Sequence, residues 1–104
     1  MFEYQMVNDG IKMTVHLKGD MDIEITEVME EELIPALQKA QEVELNFAAV
    51  SFVDSTGIGL LMNLVQHLKE REILVKITHL SEDIYEVFDL LQIPDIIGRD
   101  VFSS

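Results

Sequence analysis

One stretch of the chain, residues 52–59 with the sequence FVDSTGIG, limits the possible folds more than any other. A short apolar run stops there at an acid, two hydroxyl residues and two glycines, and a helical pattern follows at once. This order predicts a buried strand that leads directly into a helix. Ser55 would then lie at or beside the N-cap, near backbone N–H groups without a partner in the helix. The positive end of the helix dipole would favour a phosphate on its hydroxyl, so the stretch is suited to presenting one serine.

The rest of the chain alternates between strand patterns and helix patterns. The predicted strands are residues 2–8, 11–18, 43–53, 73–77 and a short closing strand through 96–97 toward 101–102. The predicted helices are residues 26–40, residues 56–71 and a third helix that begins at Ser81. The order β-β-α-β-α-β-α-β predicts a single α/β domain over residues 1–104, with a mixed β-sheet and crossover helices packed mainly on one face.

Local signals add detail to this outline. Residues 8–10 (NDG) predict a hairpin turn, and residues 19–22 (GDMD) predict a loop. Thr26 is the predicted N-cap of the first helix, and Pro35 is expected to bend that helix or break it in two. The second helix is predicted to bury Ile58, Leu61, Leu64, Val65 and Leu68. The third is predicted to bury Ile84, Val87, Phe88 and Leu91.

The net charge of −13 is the strongest compositional feature, with 20 acidic residues against 7 basic ones. Nucleic acids and anionic membranes attract clustered Lys and Arg, so neither is an expected partner. A protein partner with a basic face would be steered toward the chain, although acids that only keep it soluble fit equally well. No apolar run approaches the about 18 residues of a membrane span, no signal-peptide pattern begins the chain and cysteine is absent, so a cytoplasmic location is expected.

No catalytic or metal-binding pattern accompanies Ser55. The serine lacks the Gly-x-Ser-x-Gly context of a nucleophile elbow, and His16, His67 and His79 are scattered along the chain. No HExxH, CxxC or EF-hand spacing occurs, so no metal or cofactor is expected. Aspartic proteases of the retroviral kind also carry Asp-Ser/Thr-Gly, but here one extra residue precedes the glycine and a helix follows. The chain is therefore predicted not to be an enzyme.

The whole chain resembles the STAS domain family (sulphate transporter and anti-sigma factor antagonist), and within it the small bacterial anti-sigma factor antagonists. Three segments carry this resemblance in the family's order. They are residues 19–22 (GDMD), residues 50–59 (VSFVDSTGIG) and residues 87–90 (VFDL) ahead of Ile96 and Ile97.

The resemblance implies a regulatory role, with the family's phosphoserine falling on Ser55. Members of this type bind an anti-sigma factor that is also a serine kinase and thereby free the sigma factor. Phosphorylation by that kinase ends the interaction, and a metal-dependent serine phosphatase restores it. The residues expected to form or shape the partner contact are Asp20, Met21, Asp22, Asp54, Thr56, Gly57, Ile58, Leu60 and Met62.

Simpler roles for these residues stay open at the level of the sequence. Ser55 could be an ordinary N-cap, and Asp20 and Asp22 could be loop residues. Leu60 and Met62 could belong to a wide core-facing side of the second helix. The alternative function is a constitutive STAS scaffold, or the soluble subunit of a larger assembly such as a transporter, without a phosphorylation switch.

Overall fold

A computed structural model describes residues 2–102 as one mixed β-sheet with helices packed against it. The strands are β1 (Glu3–Asn8), β2 (Lys12–Met21), β3 (Glu42–Val53) and β4 (Leu74–Thr78). The α-helices are α1 (Thr26–Val28), α2 (Ile34–Leu37), α3 (Ser55–Glu70), α4 (Glu82–Leu90) and α5 (Ile93–Ile97). Shorter 3-10 turns span Ile23–Ile25 and Arg99–Val101, and a π-helical segment spans Met29–Leu33. The sheet order is β1-β2-β3-β4, with β1 antiparallel to β2 and the other two pairs parallel, which confirms the predicted fold class.

β1 and β2 form the predicted hairpin. Gly10 adopts a φ of +99°, a left-handed conformation that glycine accepts without steric cost. The side-chain oxygen of Asn8 accepts from the Gly10 N–H at 2.8 Å, and the Asp9 carboxylate accepts from the Lys12 N–H at 2.7 Å. Hydrogen bonds from the backbone N–H groups of Lys12 and Ile11 hold the pKa of Asp9 below its ordinary value. The turn is therefore fixed by its side chains as well as by its backbone.

β2 continues to Met21, so the loop predicted at residues 19–22 is wrong for residues 19–21, and only Asp22 lies outside the strand, in a bend. The last part of β2 pairs with β3 through two register shifts, one between His16 and Lys18 and one between Gly19 and Asp20. At each shift β3 carries an extra residue, as at a β-bulge. Glycine and acidic residues are typical of loops, but pairing with the long strand β3 keeps them extended here.

The helices cover one face of the sheet and bury its apolar side chains. The strands contribute Val15, Leu17, Val43, Leu45, Phe47, Val50, Val75 and Ile77 to this core. α3 contributes the five residues predicted for it, which are Ile58, Leu61, Leu64, Val65 and Leu68. Because burial of each such side chain is worth about 1.5–3 kcal/mol, α3 and the residues at its start are held firmly against the sheet.

The opposite face of the sheet is polar, and one carboxylate joins three of its strands. Lys12 Nζ on β2 lies 2.7 Å from Glu44 Oε1 on β3, and Thr78 Oγ1 on β4 donates to Glu44 Oε2 at 2.7 Å. The hydrogen bond from Lys12 and then that from Thr78 hold the pKa of Glu44 below its ordinary value. With charged and polar groups on this face, the helices lie on the other one, as predicted.

The helical region between β2 and β3 has its π segment immediately before α2, which contains Pro35. The Ile34 N–H bonds to the carbonyl of Met29, five residues earlier, and Pro35 has no N–H to donate. The wider π turn avoids the α-helical hydrogen bond that Pro35 cannot donate. The predicted bend or break at Pro35 is therefore seen as this π segment. The region begins at Asp22, whose carboxylate accepts a backbone N–H at 2.9 Å, so the prediction of Thr26 as N-cap is wrong.

α4 begins where it was predicted but buries a narrower face. Ser81 is its N-cap and accepts from the Ile84 N–H at 3.2 Å. Ile84 and Phe88 are buried, whereas Val87 and Leu91 are 42% and 51% exposed, so the prediction of burial is wrong for these two. The Phe88 ring packs edge-to-face on a second phenylalanine ring, and the core contacts lie on one side of the helix.

The closing strand predicted through residues 96–97 toward 101–102 is a helix followed by a single bridge. Ile96 and Ile97 lie in α5, where Pro94 near the first turn supplies a backbone conformation suited to a helix. Phe102 pairs with Ile77 on β4 through one parallel bridge. The last element of the predicted order is therefore reduced to this bridge within residues 2–102.

Candidate functional site

The site is the junction between β3 and α3, where a single residue separates strand from helix. Asp54 is that residue, and its extended backbone makes it the N-cap of α3. Its carboxylate accepts from the Gly57 N–H at 2.8 Å, and its own N–H donates to the Met21 carbonyl at 3.0 Å. Asp54 is thus bonded to the helix through its side chain and to β2 through its backbone.

Ser55 is the first residue of α3 and is exposed. It lies beside the N-cap rather than in it, because Asp54 has already taken the capping role. The Ser55 hydroxyl makes no hydrogen bond to any other residue in the described range of 2–102. An exposed and unengaged hydroxyl at a helix N-terminus is accessible to a group-transfer enzyme, and the helix dipole there favours an added negative charge.

Gly57 explains why the junction is so compact. A Cβ atom on Gly57 would lie 2.1 Å from the Met21 carbonyl oxygen, far inside any contact that real side chains make. The first turn of α3 can therefore lie directly on the end of β2 because this position is glycine. The contact fixes the distance between Ser55 and the end of β2.

Three of the residues predicted to contact a partner are buried. Met21 is 0% exposed, Ile58 is 6% exposed and Gly57 is buried against Met21. A direct side-chain contact with a partner is therefore ruled out for Met21 and Ile58. These residues instead pack beneath the exposed residues of the site and hold the start of α3 against β2.

The remaining predicted residues are at least partly accessible; Asp20, Asp22 and Thr56 lie at the junction, and Leu60 and Met62 lie five and seven residues beyond Ser55 along α3. Asp20 on β2 pairs with Phe52 on β3. Asp22 directly follows Met21, whose carbonyl accepts from the Asp54 N–H. Both aspartates are half-buried, and Thr56 is exposed next to Ser55. Leu60 and Met62 on α3 are half-buried and pack against the core, which supports the core-facing role left open for them.

Two exposed apolar residues at this edge were not included in the predicted site. Ile23 is 68% exposed in the turn that follows Asp22, and Phe52 is 53% exposed near the end of β3. The sequence placed Phe52 in a buried apolar run. The second register shift between β2 and β3 turns it outward, and only the pairing of two distant segments reveals that shift.

The three histidines are not assembled into a catalytic group with Ser55. His67 Nε2 lies 2.8 Å from the side-chain nitrogen of Gln38, His16 is exposed on the polar face of the sheet, and His79 follows β4. Within residues 2–102 no cluster of three or more potential metal ligands occurs. Over the same residues no helix has the length and apolar content needed to cross a bilayer.

The sequence model of the STAS domain matches residues 6–104, which include the whole junction. The chain belongs to the STAS domain family. This STAS domain is 29% identical over 90 residues to the anti-sigma-B factor antagonist of Bacillus subtilis (strain 168), covering 86% of this chain and 83% of that protein. It is 32% identical over 84 residues to the anti-sigma-B factor antagonist of Staphylococcus epidermidis, covering 80% and 78%.

Solved structures of the Bacillus protein SpoIIAA, an anti-sigma factor antagonist, share the fold. Its unphosphorylated form matches this STAS domain with a TM-score of 0.67 and 23% identity, over 86% of this chain and 83% of that one. Its phosphorylated form matches with a TM-score of 0.66 and 21% identity, over 88% and 83%. The relatives therefore include regulatory binding proteins, and the resemblance of the sequence to this family is confirmed.

Proposed function

We propose that this STAS domain is a cytoplasmic anti-sigma factor antagonist that is switched off by phosphorylation of Ser55. In its unphosphorylated form it binds an anti-sigma factor with serine kinase activity and so releases the sigma factor. A serine phosphatase reverses the modification. The chain itself acts as a binding protein and not as an enzyme. The relatives support this assignment, because two proteins that align with the chain over most of their length are named anti-sigma-B factor antagonists.

One observation carries the proposal: Asp54 caps α3 and so leaves the Ser55 hydroxyl exposed and unbonded. A serine that served as the cap would have its oxygen committed to a backbone N–H. Here the acid performs that task. The serine is left available as a phosphate acceptor without any loss to the helix.

Electrostatics give a physical reason why phosphate would end binding. A phosphoserine carries about −1.5 to −2 charges, and Asp54 and Asp20 lie at the same edge of the sheet. Two like charges about 6 Å apart repel by roughly 3 kcal/mol at an effective dielectric constant near 20. If the partner places an acid directly against Ser55, with its basic groups lying away from that point, the repulsion corresponds to about a hundredfold loss of affinity. The fold itself need not change, because the start of α3 tolerates negative charge.

The partner contact would be formed by the accessible residues around Ser55. Thr56, Asp20, Asp22 and Asp54 present hydroxyl and carboxylate groups there, and Leu60 and Met62 add the half-exposed edge of α3. A net charge of −13 favours a partner with a basic contact surface. Met21, Gly57 and Ile58 act from beneath by holding α3 on β2.

The test is phosphorylation by an anti-sigma factor kinase with Mg²⁺ and ATP, followed by mapping of the phosphate by mass spectrometry. We expect phosphate on Ser55 and none on Ser81, which is also an exposed serine at a helix start. Ser55→Ala should bind the kinase as tightly as the natural chain does. Ser55→Asp should bind about a hundredfold more weakly, as measured by isothermal titration calorimetry.

Two results would contradict this function. Phosphate on Ser81, or on no residue in the presence of a kinase that does bind, would remove Ser55 as the acceptor. Equal affinity of Ser55→Ala and Ser55→Asp would remove the switch and favour a constitutive scaffold instead.

A further inference from the structure

Two large apolar side chains near Ser55 are left in water. Ile23 is 68% exposed and Phe52 is 53% exposed. Ile23 comes two residues after Met21, and Phe52 comes two residues before Asp54. Met21 and Asp54 are joined by a backbone hydrogen bond of 3.0 Å, so both apolar side chains belong to the immediate surroundings of the junction.

Phe52 projects from the polar face of the sheet. Along β2 and β3 the pair Met21–Val53 contacts the core, and the preceding pair is Asp20–Phe52. Successive residues of a strand point to opposite faces, so Phe52 and Asp20 share the face that carries no helices. This face also carries exposed Val7 and Leu74, but Phe52 is its exposed apolar residue next to the junction.

Acidic groups surround these apolar side chains. Asp20 is the neighbour of Phe52 across the strands, and Asp22 and Glu24 flank Ile23 on both sides. A surface of this kind is complementary to an apolar pocket with a basic rim. It does not suit a second copy of the chain, because each copy would bring the same acids and a net charge of −13.

We propose that Ile23 and Phe52 are the apolar anchors through which the anti-sigma factor kinase docks on the Ser55 site. This inference rests on the function proposed above. A kinase that reaches the Ser55 hydroxyl must cover the junction, and Phe52 lies three residues before Ser55 while Ile23 lies two residues after Met21, which bonds to Asp54. The anchors set the affinity of the unphosphorylated complex, whereas the charge on Ser55 decides whether that complex persists.

This division of roles has a kinetic signature. Ile23 and Phe52 lie outside the acceptor residue, so their removal should leave the rate of phosphoryl transfer in the bound complex unchanged. The expected result is a raised KM for phosphorylation of this chain with an unchanged kcat. A substitution that merely distorted the junction would change kcat as well.

The chain offers a matched control for Ile23 at the other end of the sheet. Ile11 is 61% exposed and precedes β2, whereas Ile23 follows that strand. Ile23→Ala and Ile11→Ala remove the same atoms from similarly exposed positions, at opposite ends of a 10-residue strand. Leu74, which is 50% exposed at the start of β4, serves in the same way for Phe52.

The experiment uses the purified anti-sigma factor kinase that phosphorylates the natural chain. It measures the Kd of that kinase for each variant, and the KM and kcat with which the kinase phosphorylates each variant. Ile23→Ala and Phe52→Ala should each weaken binding by about tenfold or more, and Ile11→Ala and Leu74→Ala should stay within about twofold. Thermal melting checks each fold. Should Phe52→Ala melt early, Ile23→Ala decides the matter, because its side chain is mostly in water.

If Ile23→Ala had the same Kd and KM as the natural chain, the proposal that Ile23 and Phe52 are anchors would be wrong, and Ser55 would still be the acceptor. Equal losses in the anchor variants and in the two controls would overturn that proposal too. Failure of the function proposed above has a different signature, since the natural chain would then not be phosphorylated on Ser55.

Discussion

The β3–α3 and β4–α4 junctions both lead a parallel strand into a helix, and both have an exposed serine at the helix start. At β4–α4 the Ser81 oxygen accepts from the Ile84 N–H at 3.2 Å, so the serine is the cap. At β3–α3 the Asp54 carboxylate accepts the equivalent bond at 2.8 Å, and Ser55 is free. A serine at a helix start therefore does not by itself present an uncommitted hydroxyl. The acid that precedes Ser55 makes the difference.

The two junctions also differ in how closely the helix approaches the sheet. The residue that donates to the cap is Gly57 in α3 and Ile84 in α4. Gly57 lies directly on the Met21 carbonyl, whereas Ile84 fills the space beneath it with its own buried side chain. α3 thus holds Ser55 at a fixed distance from the end of β2. That precision suits a site where one added charge must act on neighbouring groups.

Of the substitutions that test this comparison, Gly57→Ala should have the largest effect on the free energy of unfolding. In Gly57→Ala the new Cβ would lie 2.1 Å from the Met21 oxygen, so β2 or α3 must move and the bond from Asp54 to Met21 must stretch. We expect a loss of about 3 kcal/mol in the free energy of unfolding, measured by urea denaturation. Binding of the anti-sigma factor should weaken as well, because Ser55 moves with the helix.

Gly59 provides the control within the same helix. It is exposed, and a Cβ there would meet no atom within 4 Å. Gly59→Ala should therefore stabilise the chain by about 0.5–1 kcal/mol through the better helix propensity of alanine. If Gly57→Ala proved as stable as Gly59→Ala, the close seating of α3 on β2 would be wrong.

The next effect sharpens the comparison of the two serines. Ser81→Ala removes a cap and should lower the free energy of unfolding by about 1 kcal/mol. Ser55→Ala removes a hydroxyl without a partner and should change it by only a few tenths of a kcal/mol. Thermal and urea unfolding of the two variants, side by side, measure the difference. Equal losses would mean that Ser55 also has a capping role.

The sequence predicted this junction well because its signals are local. A strand pattern, a capping residue and a helical pattern follow one another within residues 50–68, and each depends on near neighbours. The choice between Asp54 and Ser55 as cap was not decided locally, since both residue types cap helices equally well. The hydrogen bond from Asp54 to Met21 decides it by keeping Asp54 in the extended conformation.

Features that depend on distant segments were the ones that the sequence did not reveal. Phe52 is exposed because β3 carries an extra residue opposite β2, and Val87 and Leu91 are exposed because the core reaches only one side of α4. Residues 19–21 form part of a strand because β3 is there to pair with them. In each case the local pattern was satisfied, and a tertiary contact changed the outcome.

The smallest effect concerns the strand ends that lead into the two junctions. Glu44 binds Thr78 at the last residue of β4, just before the β4–α4 junction, whereas β3 runs on to Val53 without such a tie. Lys12 first, and then Thr78, hold the pKa of Glu44 below its ordinary value of 4.5. A carboxyl with a depressed pKa stabilises the fold above the unfolded value, and this contribution is lost as the pH falls through the folded value.

Glu44→Gln should therefore lower the melting temperature at neutral pH, and its deficit relative to the natural chain should shrink once the pH falls below about 4.5. The deficit at pH 7 should correspond to less than about 1 kcal/mol, since Lys12 is partly in water. Glu86→Gln is the control, because Glu86 is exposed and makes no ion pair with the other described residues. Hydrogen exchange should show earlier opening of β4 than of β3 at low pH. A deficit that grew on acidification would contradict the stabilising role of the Glu44 carboxylate.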